Sequence, residues 1–357
     1  MATWRAKLRM AGLSIGILAA LVSCNGGGEP APATPGARPP PLPATLTATP
    51  GRLPPAQTTD PGPGLDPARV VATIPLPVTP DQVAAGAGAV WVLDREAGVV
   101  QRIDPATNGI AGPAIRLGFS PWSLTTGADA VWITGNGADT VARLDPTTNA
   151  VTATFPVPSH PIAQAALGFG ALWTANAGGS TVSRLDLTSA AVTSFRAGRQ
   201  PHGIAVGAGA VWVANHDESA VVRVDPATRQ IQARIRVASE PHSLIFAAGY
   251  LWADGYHADG IQQIDPQTNQ TRNGIIPLGF PSDVFAGDAT ALWIASVPTE
   301  RNDVRSPGTR QVVRLDPGTQ QVVERLTFAT PPTAVGLDAD SLWVALQEPP
   351  ALVRIRR

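Results

Sequence analysis

Seven tryptophans recur along this chain at near-constant spacing. Trp91, Trp132, Trp173, Trp212, Trp252, Trp293 and Trp343 each follow a short apolar run, and all the intervals between them but the last are nearly equal. A proline stands eleven or twelve residues before each: Pro80, Pro121, Pro161, Pro201, Pro241, Pro281 and Pro332. In the first five copies an aspartate follows thirteen residues later, at Asp104, Asp145, Asp186, Asp225 and Asp265. A fixed period of roughly 40 residues means a repeat architecture, and it outranks length, which alone would suggest two or three domains.

Each copy divides into four strand-length runs. In the fourth they are HGIAVG, AVWVAN, AVVRVD and QIQARIRVA, separated by GAG, HDES and PATR. Period-two alternation between tight turns marks an antiparallel meander. The Asp-Pro-x-Thr phrases are turn chemistry, because Asp binds nearby backbone N–H groups and Pro presets φ. The 36 prolines and 35 glycines suit such a turn-rich, all-β chain. Tryptophans held at one register of the second strand read as packing between neighbouring units.

Four-stranded units at this period form a β-propeller, whose radial closure leaves only short, protected edges. The seventh unit stops at ALVRIRR, one strand short, and RVVATIPLP at residues 69–77 matches the missing outer strand. The expectation is a single seven-bladed ring over residues 68–357, closed by pairing its two ends in one blade.

Strand direction sorts the loops. The starts of the first strands share a face with the loops joining second and third strands, and the compact turns fall on the other. The position after each proline reads Asp81, Trp122, Ile162, His202, His242, Ser282 and Thr333. A purely structural position would repeat; this one varies, so it points to a lined pocket. Nearby loops add Asp94, Asn215, His216, Asp254 and His257, and the sixth unit adds the insertion VPTERNDVRSPGT. A solvated rim with turn-stabilising histidines is the alternative. A metal site built on His202, His242 and an acid is a further option, although the spacing matches no established ligand motif.

The chain ahead of the repeats carries different signals. Arg5, Lys7 and Arg9 precede an apolar run from Met10 to Val22, then Leu21-Val22-Ser23-Cys24. This is a secretory signal over 1–23, too short for a stable span. Its end resembles the lipobox of bacterial lipoproteins, which implies cleavage before Cys24 and lipidation of its sulfur; an ordinary signal peptide with a coincidental cysteine is the alternative. Cys24 is the sole cysteine, so no internal disulfide exists. Residues 25–67 hold 13 prolines and few large apolar side chains, the composition of a disordered tether. The expected location is the extracytoplasmic side of the cell envelope, with the membrane as partner through Cys24. With 26 basic and 27 acidic residues, nucleic acid is not an expected partner. A monomer is expected.

The phrase PHGIAVGAGAVWVAN with RVDPAT resembles the YVTN-type seven-bladed propellers and the related streptogramin (virginiamycin B) lyases. The resemblance covers residues 69–357. Membership of the lyase group would imply Mg²⁺-assisted β-elimination on a cyclic depsipeptide ester, with a histidine after a proline, like His202 and His242, as base or acid. It would also imply a metal-linked glutamate three residues after a Trp. Those third positions are Asp94, Gly135, Asn176, Asn215, Gly255, Ser296 and Leu346, so no blade carries both groups. The favoured function is therefore binding of an envelope protein, glycan or small molecule without catalysis or cofactor, and the alternative is a lyase or hydrolase using His202 or His242.

Overall fold

The computed structural model describes residues 64–357, apart from residues 136, 159, 160, 162, 163, 239, 256–259, 281–283, 297, 298, 302, 303 and 307–309. The expected signal peptide, Cys24, most of the Pro-rich segment and His257 lie outside the described residues. All described residues belong to the compact unit Pro54–Arg357.

The chain forms seven antiparallel blades in a ring. Blade four shows the pattern: Pro201–Gly207 innermost, then Ala210–Asn215, Ala220–Val224 and Ile231–Arg236 at the outside. Blade one departs slightly, since its third strand pairs with two short outer pieces, Gly109–Ile110 and Ile115–Arg116. Blade six carries an added hairpin, Thr299–Arg301 against Val304–Ser306, between its second and third strands. Blade seven combines Pro332–Leu337, Ser341–Gln347 and Pro350–Arg356 with Val70–Pro75 from the other end of the chain. Thr73 pairs with Val353 and Ile74 with Leu352, so the ring closes as the repeat pattern requires.

The apolar core is divided among the blade boundaries. Trp91 packs with Leu124, Val131 and Ile133 of blade two, and Trp212 with Leu244 and Leu251 of blade five. Trp343 packs with Val83, Val90 and Ile103 of blade one, so the seventh boundary is filled like the others. Every repeat Trp is at most 5 % exposed. Burying so large a side chain contributes about 2–3 kcal/mol. Four indoles also donate their N–H to the backbone carbonyl five residues earlier; Trp212 does so to Gly207 at 3.0 Å. Gly207 itself lies so close to Phe246 of the next blade that a Cβ would overlap the ring.

A second register accompanies the tryptophans. The residue opposite each Trp on the third strand is arginine in six blades; Trp212 faces Arg223 and Trp343 faces Arg354. Five of these guanidinium groups lie 4.9–6.0 Å from the indole centres, within cation–π range. Several then reach the turn of the following blade. Arg223 donates to the Pro266 carbonyl at 2.8 Å and to Asn269 Oδ1 at 3.1 Å. Arg354 donates to the Pro105 carbonyl and to Asn108 Oδ1 at 2.9 Å. Blade five substitutes Gln263, whose amide donates to the Pro317 carbonyl at 2.8 Å. The receiving turns are held by their own aspartates: Asp225 accepts the backbone N–H groups of Ala227 and Thr228. The hydrogen bonds from Thr228 hold the Asp225 carboxyl below its usual pKa.

Arg354→Ala should remove the link between blades seven and one, with a stability loss of roughly 2 kcal/mol. Arg143→Ala should cost less than half of that, because Arg143 contacts Asp129 and Thr152 of its own blade. Denaturant unfolding of the two variants checks this, and equal losses would refute the inter-blade role.

Candidate functional site

Five of the residues that follow the repeat prolines stand together at one mouth of the ring, at or close to the start of their innermost strands. Asp81, Trp122, His202, His242 and Thr333 all line a cavity of about 540 Å³ there. Ile162 and Ser282 of the same ring position lie outside the described residues. Val83, Leu124, Val284, Phe285 and Val335 add apolar surface to the lining, beside the polar Gln82, Ser123, Gln164 and Ser243. This volume falls in the range of small-molecule sites.

The cavity is chemically polarised. On blades one and two, the Arg95 guanidinium stacks 4.7 Å from the Trp122 ring centre, and its Nε donates to the Trp122 carbonyl at 2.7 Å. Asp81 Oδ2 accepts the Arg95 backbone N–H at 2.8 Å, and Oδ1 accepts the Gln347 amide at 3.4 Å. Burial raises the Asp81 pKa, partly offset by that backbone hydrogen bond and the Arg95 charge. On blades four and five, the His202 and His242 rings lie 4.7 Å apart, and His216 lies 5.3 Å from His202. Burial, followed by the two neighbouring imidazoles, lowers the His202 pKa to about 3. Its Nδ1 is buried and has no hydrogen-bond partner among the described residues. At neutral pH His202 is thus an uncharged group on the cavity wall.

Other residues named from the sequence serve the backbone. Asp94 accepts the N–H groups of Thr79 and Ala97, both at 2.8 Å. Asn215, fully buried, donates to the Ala197 carbonyl at 2.8 Å. Asp254 Oδ1 accepts the N–H groups of His242 and Ser243, both at 2.7 Å, and so holds the segment that carries His242. His216 turns towards acids: its Nδ1 is 3.4 Å from Asp217 and its Nε2 3.7 Å from Glu240. These side chains support the rim, while Asp81, Trp122, His202 and His242 face the cavity.

Three glutamines complete the site and were not foreseen. Gln82 Oε1 accepts the Leu124 N–H of the next blade at 2.7 Å. Gln164 Oε1 accepts the N–H groups of Ile204 and Leu244, at 3.3 and 3.0 Å, and so ties blade three to blades four and five. Gln347 binds Asp81. The available signal was a polar residue early in an apolar innermost strand, as in QVAAG and IAQAALG.

The described residues do not fit a hard cation. Mg²⁺ requires carboxylate or carbonyl oxygens in near-octahedral array. Among the described residues no group of three His, Cys, Asp or Glu side chains could hold a metal ion. The carboxylates of Asp81, Asp94 and Asp254 already accept backbone N–H groups.

No family model and no curated protein matches the chain. Solved structures do resemble it. Virginiamycin B lyase from Staphylococcus aureus is 17 % identical, with a TM-score of 0.66 over 80 % of this chain and 98 % of that one. A streptogramin B lyase structure is 16 % identical, with a TM-score of 0.66 over 80 % and 97 % of the two chains. Hydrazine synthase from Kuenenia stuttgartiensis is 13 % identical, with a TM-score of 0.65 over 78 % and 96 %. At these identities the likeness is one of fold. The chain is a seven-bladed β-propeller with streptogramin-lyase-like structural neighbours, and these propellers carry unrelated chemistries.

The His202 imidazole should keep neutral NMR shifts from about pH 8 down to about pH 4.5 and titrate only near 3. Its folded pKa lies below the unfolded value of 6.5, so the unfolded chain takes a proton that the native state refuses. Its contribution to stability is complete above the unfolded value and falls as the pH drops from there towards 3. An imidazole titrating near 6.5 would contradict the described burial.

Proposed function

We propose that this protein is an envelope-anchored propeller that binds a small-molecule ligand in the cavity at the mouth of its channel. One observation carries the reading: a ring position that varies from blade to blade places Asp81, Trp122, His202, His242 and Thr333 around one cavity. Repeats that share their Trp and Pro positions differ where these side chains converge, as expected of a rigid scaffold bearing a specific site. The sequence leading up to Cys24 supports an anchor at that residue, and the Pro-rich segment after it supports a spacer. As an extended polyproline-like chain that segment would reach roughly 130 Å, and as a coil roughly 35–40 Å.

A second reading, an extracytoplasmic lyase or hydrolase, draws support from His202 and His242, which follow prolines in adjacent blades, and from the lyase-like fold. The carboxylates already engaged by backbone N–H groups count against a Mg²⁺-assisted route. Binding is therefore the preferred function, and ring opening of a streptogramin B the discriminating reaction.

Incubation of the purified protein with Mg²⁺ and a streptogramin B should leave the cyclic compound intact by chromatography. A linear product that disappears in His202→Ala would replace the binding reading with the lyase one. Cys24→Ser should move the protein from the membrane fraction to the soluble fraction of its host. Retention of the variant in the membrane would remove the anchor from the proposal.

A further inference from the structure

The blades share one plan, but the outer flank of the ring is not evenly charged. Residues 191–200 and 229–238, which include the outer strands of blades three and four, carry Arg196, Arg199, Arg229, Arg234 and Arg236 and no acid. All five arginines are exposed. The matching stretch of blade two, AVTATFPVP, has no charge, and in blade six Glu324 pairs with Arg69. Arg199 and Arg234 share one carboxylate, that of Glu218, the only acid that pairs with any of the five among the described residues. Arg229 donates to the neutral Thr193 hydroxyl at 3.3 Å. One acid therefore answers five cations.

Two departures from the repeat fall at the same blade boundary. Where five other turns read Asp-Pro, blade three reads Asp186-Leu187, and Leu187 is 44 % exposed. Where Asn108, Asn149 and Asn269 hold the left-handed corner of their turns, blade four has Arg229, at φ 63°. Asn tolerates that conformation better than Arg does. The exchange also removes the amide oxygen that, in Asn269, accepts from the arginine of the preceding blade. Arg184 turns back instead to Asp186 of its own blade, at 2.9 Å. Both departures lose turn chemistry and add exposed surface, one apolar and one cationic. Ile231, 42 % exposed, follows two residues after Arg229.

None of these side chains lines the cavity at the channel mouth. Cations spread over an outer flank, with exposed Leu and Ile among them, suit an extended anionic surface that has an apolar layer beneath it. We infer that the flank formed by the outer strands of blades three and four docks on an anionic lipid bilayer. The arginines meet the lipid phosphates, and Leu187 and Ile231 meet the acyl boundary. A linear polyanion would use the arginines and leave the two apolar side chains in water. Docking here involves neither the cavity nor Cys24. It stands the ring on edge, so the cavity mouth opens along the membrane rather than into it.

Sedimentation with vesicles tests the contact, using the purified full-length chain carrying Cys24→Ser so that no lipid anchor contributes. Vesicles of phosphatidylglycerol and phosphatidylcholine in equal parts should bind the chain at about 0.05 M salt and release it at about 0.5 M. Pure phosphatidylcholine should bind it at least about tenfold more weakly. Removing three flank charges together, by Arg196→Gln, Arg229→Gln and Arg236→Gln, should weaken binding to the mixed vesicles at least about thirtyfold. The same charge change on blades one, six and seven, by Arg116→Gln, Arg310→Gln and Arg356→Gln at exposed positions, should weaken it less than about threefold. If the flank triple melts early, Leu187→Ser with Ile231→Ser should lower mixed-vesicle binding by about fivefold or more, and Val323→Ser at an exposed site of blade six should leave it unchanged. Equal binding to the two vesicle types, or equal losses in the flank and control variants, would overturn the docking surface. Binding of soluble polyphosphate without binding of the mixed vesicles would overturn the lipid as its partner.

Discussion

The structure depends on an indole wedged between each blade and the next. A four-stranded blade has two faces and cannot bury either alone; each repeat Trp fills the gap to its neighbour, and the arginine or glutamine opposite it ties several blades to the turn beyond. The wedge therefore combines apolar burial with directional hydrogen bonding. Burial alone would let blades slide on one another. The guanidinium-to-turn contacts fix their register, and with it the positions of side chains at the channel mouth.

That rigidity explains why a site assembled from residues far apart in sequence can be chemically defined. Asp81 and His202 belong to blades one and four, yet both stand at the start of an innermost strand. Their placement follows from the ring, while their surroundings are local. Arg95 and Gln347 surround Asp81, and two imidazoles crowd His202. The result is one wall with fixed charges and, on the other, a His202 ring that stays neutral near physiological pH.

Much of this was legible in the sequence because the repeat is long and regular. The Trp and Pro spacings gave the blades, strand direction gave the face assignment, and the strand missing after ALVRIRR gave the closure by residues 69–77. Where side chains point at the ends of the second strands was not legible. Asp94, Asn215 and Asp254 occupy rim positions and look like pocket residues, but nearby backbone groups need partners and claim them. Gln164 escaped notice for a related reason: its bonds to Ile204 and Leu244 cross 40 and 80 residues, and no local pattern encodes such a reach. The arginine eleven residues after most of the tryptophans was plain in the sequence, but its purpose appears only once two blades stand side by side.

The joint in blade seven also sets a timetable for assembly. Val70–Pro75 precedes every other strand of the ring, and its partner Pro350–Arg356 follows them all. Until that partner emerges, the early strand has an unsatisfied edge, and the growing arc lacks its seam. Such an intermediate is open to pairing with other chains. A stop codon that removed only the last strand would thus deprive both ends of their seam at once, so the native ring is gained in one late step rather than blade by blade.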